Sequence, residues 1–186
     1  MVYTFNTAAL PATPWKNGGG TTREIVCQPP GADMDSFDWR VSIATIAAAG
    51  PFSAFPGVDR VILLLDGAGV RLQGGGIDHR LDTPGVPYAF SGDVALGCAL
   101  LGGASTDFNL MTRRGRVQAQ VRVLTTAEDI SAFSGLLLAV RGHWQLGDSL
   151  CAPGHGLWWD APAPLLARPQ TANASLVAVF LSQTGL

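Results

Sequence analysis

Residues 61–76 read VILLLDGAGVRLQGGG, and this stretch sets the rhythm that the rest of the chain repeats. The apolar residues at 61–65 predict a strand, residues 66–69 a tight turn, and residues 70–73 a returning strand. A second glycine turn follows at residues 74–76. Across the chain, 23 Gly and 12 Pro separate short segments rich in Val, Ile, Leu and aromatic residues. This rhythm predicts an all-β fold, a sandwich or a barrel.

Two further segments alternate between side chains of different character, as strands do. Residues 39–46 read WRVSIATI, and residues 117–124 read VQAQVRVL. Helix is scarce in this pattern. The best candidate is residues 126–133, where a threonine precedes two acidic residues, as an N-cap precedes the first helical turn.

The chain also contains a weak internal echo. LDTPG at residues 81–85 resembles LCAPG at residues 150–154, and LLLDGAGVRL at residues 63–72 resembles LLAVRGHWQL at residues 137–146. Two similar segments about 70 residues apart predict a duplicated β-unit. Chance similarity between strands punctuated by glycine is the alternative.

Composition excludes several classes of partner. The 186 residues are 47% hydrophobic and 14% charged, with a net charge of −2 and a mean hydropathy of +0.25. Such a chain buries a sizeable core and offers little to a phosphate backbone, so we expect no nucleic-acid partner. Its apolar runs are too short to span a bilayer and its first residues lack signal-peptide features, so we expect no membrane partner. Cys27, Cys98 and Cys151 have neither metal nor disulfide spacing, which favours a cytoplasmic location.

A glycine-rich segment at residues 14–24, PWKNGGGTTRE, carries more chemistry than a turn requires. Three consecutive glycines let the backbone turn sharply and present N–H groups to a partner. An aromatic ring, an amide, two hydroxyls and several charges surround them. This segment predicts part of a ligand site, with a plain loop that feeds a strand as the alternative.

Five segments resemble the HutD/Ves family in order along the chain: residues 14–21 (PWKNGGGT), 39–44 (WRVSIA), 50–60 (GPFSAFPGVDR), 90–93 (FSGD) and 107–111 (DFNLM). The resemblance implies a bicupin, which is two jelly-roll barrels in one chain. We assign residues 1–114 to the first barrel, with the ligand site, and residues 115–186 to a smaller second barrel that N-terminal strands complete. It also implies a role in bacterial histidine utilisation, where members are thought to bind formylglutamate or urocanate.

The sequence lacks the ligands of a metal cupin. Such a site needs two histidines one residue apart, a nearby carboxylate and a third histidine. The chain has 3 histidines, at positions 79, 143 and 155, and none forms such a pair. We therefore expect no metal and no cofactor. Nor is there a nucleophile motif, and a possible proton relay of Tyr88 and Asp93 lacks a histidine, so we predict no catalytic residue.

Binding without chemistry fits the remaining residues best. Arg40 lies on one face of a strand and Arg60 opens the next strand pair. The two would bind a carboxylate, because guanidinium pairs with it bidentately. The predicted ligand-binding residues are Asn17, Gly18, Gly19, Gly20, Thr21, Arg40, Ser42, Phe55, Arg60 and Phe90. The alternative is plain salt bridges, from Arg40 to Glu24 or Asp38, and from Arg60 to Asp59 or Asp93.

We therefore predict a metal-independent cupin that binds a small anionic metabolite in its first barrel, in a sensing, buffering or regulatory role. A metal-independent isomerase or hydrolase of the same pathway is the first alternative. A protein that binds a partner through a tryptophan-rich edge is the second. Trp158 and Trp159 are adjacent, so a strand would turn one of them outward, and this favours a homodimer.

Overall fold

The computed structural model of the chain describes residues 1–184, which fall into two compact units. The first unit is Leu10–Arg116, and the second unit combines Met1–Ala9 with Val117–Leu186. The boundary between the barrels at residues 114 and 115 stays a prediction.

Strands account for most of the regular structure in the described residues, as the sequence predicts. In chain order the strands are β1 Val2–Asn6, β2 Thr13–Pro14, β3 Gly20–Gln28, β4 Trp39–Ile46, β5 Gly50–Phe52, β6 Val58–Asp66, β7 Val70–Gly74, β8 Ile77–Leu81, β9 Tyr88–Ser91, β10 Leu96–Leu100, β11 Ser105–Arg113, β12 Val117–Leu124, β13 Glu128–Ile130, β14 Ser134–Arg141, β15 Trp144–Leu146, β16 Ser149–Cys151, β17 His155–Trp159, β18 Leu165–Pro169 and β19 Ser175–Gln183. One 3₁₀ turn covers Thr7–Ala9.

Each unit contains two antiparallel sheets. The first unit has a six-stranded sheet in the order β2-β3-β4-β11-β6-β9 and a four-stranded sheet in the order β5-β10-β7-β8. The second unit has a five-stranded sheet, β1-β17-β14-β19-β12, and a four-stranded sheet, β13-β18-β15-β16. Among residues 1–184, the structure has no helix with the length and apolar character that a membrane crossing requires.

Three central strands of the six-stranded sheet position the site. In the register of β4, β11 and β6, Met111 lies between Arg40 and Arg60, Asn109 between Ser42 and Ile62, and Asp107 between Ala44 and Leu64. Since side chains alternate along a strand, these three rows share one face of the sheet.

The predicted helix at residues 126–133 is wrong. Residues 128–130 form β13, which pairs with β18 so that Glu128 lies opposite Ala167. Ile130 is buried in the core of the second unit, and the Glu128 carboxylate accepts two hydrogen bonds from Arg122. Burial of the apolar side chain in a sheet outweighs a local capping pattern, because most helical stability comes from tertiary packing.

The predicted hairpin across residues 66–69 is also wrong, whereas the second glycine turn does form one. The strands β6 and β7 belong to different sheets, so the chain crosses between them through Gly67 and Gly69, both with positive φ. By contrast, β7 and β8 pair around Gly75 and Gly76, whose φ values are +54° and +84°. Two consecutive residues with positive φ match a hairpin turn that favours glycine.

Candidate functional site

A cavity of about 510 Å³ lies in the first unit, against the inner face of the six-stranded sheet. Its lining combines two arginines, a lysine and several amide or hydroxyl groups with aromatic and thioether side chains. The lining residues are Pro14, Trp15, Lys16, Asn17, Thr22, Met34, Arg40, Ser42, Ala44, Pro51, Phe52, Ser53, Phe55, Arg60, Asn109 and Met111. Largely apolar walls with a few convergent polar groups are typical of small-molecule sites, and the volume falls within their usual range.

Arg60 is the most deeply buried cation of this cavity, with 3% of the residue exposed. Its guanidinium donates from Nη1 to the Ser53 carbonyl oxygen at 3.1 Å and from Nη2 to Oδ1 of Asn109 at 3.2 Å. Its Nε has no hydrogen-bond partner among the described residues. Burial lowers the pKa of Arg60 to about 10, so the side chain remains charged at neutral pH.

Three aromatic rings surround the same guanidinium. Its Cζ lies 4.5 Å from the ring centroid of Phe52, 5.3 Å from that of Phe55 and 5.2 Å from that of Phe90. Ring faces attract a cation but supply no counter-charge, so they hold Arg60 in place without neutralising it. The predicted salt bridges of Arg60 to Asp59 or Asp93 are absent from the described part of the chain. Both carboxylates instead pair with Arg114.

Arg40 follows the plainer alternative. Its Nε donates to Oε2 of Glu24 at 2.6 Å, and its Nη1 donates to Oγ of Ser42 at 3.3 Å. The Glu24 side chain is 49% exposed, whereas that of Arg40 is 11% exposed. Arg40 also lines the cavity, so it contributes a positive group there that Glu24 already balances.

Asp107 lies one row beyond Asn109 on the same face of the sheet, opposite the lining residue Ala44, and is 2% exposed. Its Oδ1 has no hydrogen-bond partner in the described structure. Burial raises the pKa of Asp107 to about 7, and the charge of Arg60 opposes this rise. Burial raises the pKa of Cys98 in the facing sheet to about 11, and the charge of the Asp107 carboxylate contributes to this rise. A carboxyl group that titrates near neutral pH therefore lies behind the site.

The glycine-rich loop uses most of its own amides. The N–H of Gly18 donates to the Trp15 carbonyl at 3.0 Å, and that of Gly19 donates to Oδ1 of Asn17, also at 3.0 Å. A Cβ at Gly20 would collide with the Thr45 carbonyl oxygen, so this position requires glycine for close packing. The loop therefore presents Trp15, Lys16 and Asn17 to the cavity rather than its backbone N–H groups.

Half of the predicted ligand-binding residues line the cavity: Asn17, Arg40, Ser42, Phe55 and Arg60. The others do not contribute to the lining in the part of the chain that the structure describes: Gly18, Gly19, Gly20, Thr21 and Phe90. Phe90 still contacts the guanidinium of Arg60. Whether any of these residues binds a ligand stays a prediction.

Sequence reasoning missed Asp107, Asn109, Lys16 and Met111 as members of the site. The signal for two of them was present, since Asp107 and Asn109 alternate with apolar residues in DFNLM. In the structure, Asn109 accepts a hydrogen bond from Arg60.

Among residues 1–184, neither a metal cluster nor a proton relay between Tyr88 and Asp93 forms. No three side chains of His, Cys, Asp and Glu approach closely enough there to hold an ion. Tyr88 stacks on His79 with 3.5 Å between ring centroids. Asp93 instead accepts hydrogen bonds from the Gly57 N–H, Ser91 and Arg114, which lower its pKa to about 2.

Comparison with known proteins now adds to this geometry. The HutD family model matches residues 7–177. Protein Ves of Cronobacter sakazakii is 45% identical over 158 residues, which are 84% of this chain and 86% of that protein. The structure of HutD from Pseudomonas fluorescens SBW25 is 29% identical, covers 100% of both chains and superposes with a TM-score of 0.88.

A more distant match bears on the fold alone. Oxalate decarboxylase of Lactobacillus farciminis is 7% identical, with a TM-score of 0.68 over 98% of this chain and 86% of that one. It and HutD are cupin-fold proteins, so the predicted cupin architecture is confirmed.

Proposed function

The chain belongs to the HutD family, and from this premise we propose that its first unit binds a small anionic metabolite of histidine degradation. Formylglutamate and urocanate are the candidate ligands. The role that fits a binding protein without a predicted catalytic residue is sensing or buffering of that metabolite, and it requires no metal.

One observation carries the proposal: Arg60 is a buried cation whose hydrogen-bond partners among the described residues are neutral. Its hydrogen bonds go to a carbonyl and an amide oxygen. A buried charge is costly unless a counter-charge meets it. A carboxylate in the adjoining cavity would supply that counter-charge and accept a charge-assisted hydrogen bond.

The rest of the cavity suits a ligand with an apolar body and at least one carboxylate. Trp15, Phe52, Phe55 and Met111 supply apolar surface. Lys16 adds a third cation, which the predicted site did not include. Neutral donors and acceptors, such as those of Asn17, would fix the orientation of the ligand.

A thermal-shift screen tests the proposal. The purified protein is heated with formylglutamate, urocanate, glutamate or histidine, and at a hundredfold excess over the dissociation constant a true ligand stabilises it by about 2.7 kcal/mol. We expect the shift to disappear in Arg60→Met, which keeps much of the apolar stem. Arg71→Met is the matched control, because Arg71 is a half-exposed arginine of the same unit paired with Asp78. No shift with any ligand, or an equal shift in Arg60→Met, would contradict the proposal.

The alternative of a metal-independent isomerase or hydrolase has one observation in its favour. The carboxyl of Asp107, with its pKa raised to about 7, is suited to general acid–base work at neutral pH. Conversion of urocanate or formylglutamate by metal-stripped protein, followed by proton NMR, would favour this alternative. Asp107→Asn would then abolish the conversion.

A further inference from the structure

We propose that anion binding in the cavity of the first unit is coupled to the uptake of one proton by Asp107. The inference rests on the proposed function, since it concerns the regulation of the same site. It makes the affinity for an anion depend on pH through a group that the ligand itself does not touch.

The strand β11 provides the geometric link. Met111 and Asn109 line the cavity, and Asp107 is the next residue of β11 on the same face, opposite Ala44, which also lines the cavity. Asn109 accepts a hydrogen bond from Arg60, so the guanidinium and the carboxyl occupy the same buried region. Asp107 is 2% exposed and Arg60 is 3% exposed.

The charge balance of this region drives the coupling. In the empty site, an ionised Asp107 is the carboxylate whose charge acts on Arg60. Among the described residues, the hydrogen bonds of Arg60 go to Ser53 and Asn109 rather than to Asp107. An arriving anion would place a second negative charge beside the same cation. Two like charges in a poorly solvated region repel each other strongly. Protonation of Asp107 removes this repulsion, so that the ligand carboxylate alone pairs with the charge of Arg60.

Other charged groups around Asp107 do not replace it in this role. The charge that acts on Asp107 is that of Arg60 from β6. Arg40 of β4 acts on Arg60, and Glu24 of β3 already balances Arg40. From β10 the titratable group is Cys98, whose raised pKa keeps it a neutral thiol near neutral pH. The adjacent register positions on β4 and β6 are Ala44 and Leu64. His79 of β8 stacks on Tyr88 instead.

Isothermal titration calorimetry with N-formylglutamate tests the coupling, because both carboxylates of this probe stay ionised between pH 5.5 and pH 8.5. We expect the dissociation constant of the wild-type protein to rise about tenfold or more across this range. Titrations at pH 7.5 in triethanolamine and in Tris, neither of which is an anion and which differ in ionisation enthalpy, should reveal proton uptake of up to one per ligand. Asp107→Asn should bind with a constant that varies less than about twofold and with no uptake.

Asp78→Asn is the control, because Asp78 is an exposed aspartate of the same unit that pairs with Arg71. It should keep the wild-type pH profile. A flat wild-type profile without proton uptake, or an unchanged slope in Asp107→Asn, overturns the coupling while the proposed function stands. No binding at any pH overturns both. If Asp107→Asn does not fold, the wild-type measurement in two buffers decides alone, since zero uptake contradicts the coupling.

Discussion

The two units share one strand arrangement but differ in what they bury. Strands in corresponding positions of the sheets follow one another along the chain in the same order in both units. Thus β9-β6-β11-β4 of the first unit corresponds to β17-β14-β19-β12 of the second, and β5-β10-β7-β8 corresponds to β13-β18-β15-β16. Yet all the buried polar and charged residues of the described chain lie in the first unit: Arg40, Ser42, Arg60, Ser105, Asp107, Asn109 and Thr112. The same strand arrangement therefore surrounds a cavity with several buried polar groups in the first unit and an apolar core in the second.

The strand registers show which positions changed. Ile46 pairs with Ser105 at the end of β4, and Leu124 pairs with Leu176 at the end of β12. Counting along from these pairs aligns Asp107 with Ala178 and Asn109 with Phe180. Ala178 is fully buried in the apolar core of the second unit, and Phe180 packs against that core. Since buried polar groups reduce stability unless they are paired, the first unit retains them at a cost in stability that the second unit avoids.

The largest expected effect comes from moving the carboxylate into the second unit. Ala178→Asp would bury a charge in an apolar core, opposite Arg122 of β12, whose own charge Glu128 already balances. We expect a loss of roughly 4 kcal/mol or more in the free energy of unfolding at pH 7.5. Urea denaturation measures it. Ser182→Asp, at an exposed position of the same strand β19, is the control and should change stability little. Equal stability of both variants would mean that the second unit tolerates polar groups as the first does.

The next effect is the pH dependence of stability that Asp107 confers on the first unit. Its pKa is about 7 in the folded protein and about 3.8 as a free side chain. The folded state therefore holds the proton more tightly, so stability is greatest at low pH and falls as the pH rises toward 7. This contribution amounts to about 3 kcal/mol between pH 4.5 and pH 7.5.

Urea titrations of the ligand-free protein at several pH values measure this loss. Asp107→Asn should remove most of it, whereas Asp78→Asn should not. The prediction would be contradicted if the free energy of unfolding of the wild-type protein rose with pH over the same interval and Asp107→Asn showed the same pH dependence. The carboxyl would then be ionised at no cost in the folded state.

The same comparison explains what the sequence could and could not predict. Strand alternation and glycine turns act locally, so β4, β12 and the β7–β8 hairpin were readable from residue types. The crossing at Gly67 and Gly69 was not, because a hairpin and a crossover need the same turn residues and differ only in distant pairing. Arg60 was predicted as a site residue since an arginine among apolar residues is costly, whereas the depth of Asp107 depends on the sheet register.

The smallest expected effect concerns Arg40, the cation that the first unit already balances. Glu24 is half exposed, so its ion pair with Arg40 contributes at most about 1 kcal/mol to stability. Glu24→Gln keeps a hydrogen-bonding oxygen but removes the negative charge. The released positive charge of Arg40 would then act on the cavity, and we expect anions to bind roughly threefold more tightly, a gain of under 1 kcal/mol.

Calorimetry with N-formylglutamate at pH 7 measures the change, and Glu128→Gln is the matched control, since Glu128 pairs with Arg122 in the second unit. Tighter binding only in Glu24→Gln would mean that the first unit restrains its own affinity through a surface carboxylate. Unchanged binding would show instead that Arg40 serves the fold alone. Arg60 would then be the one cation of β4 and β6 that recognises the anion, and the contrast between the two units would reduce to Arg60 and the polar residues of β11 beside it.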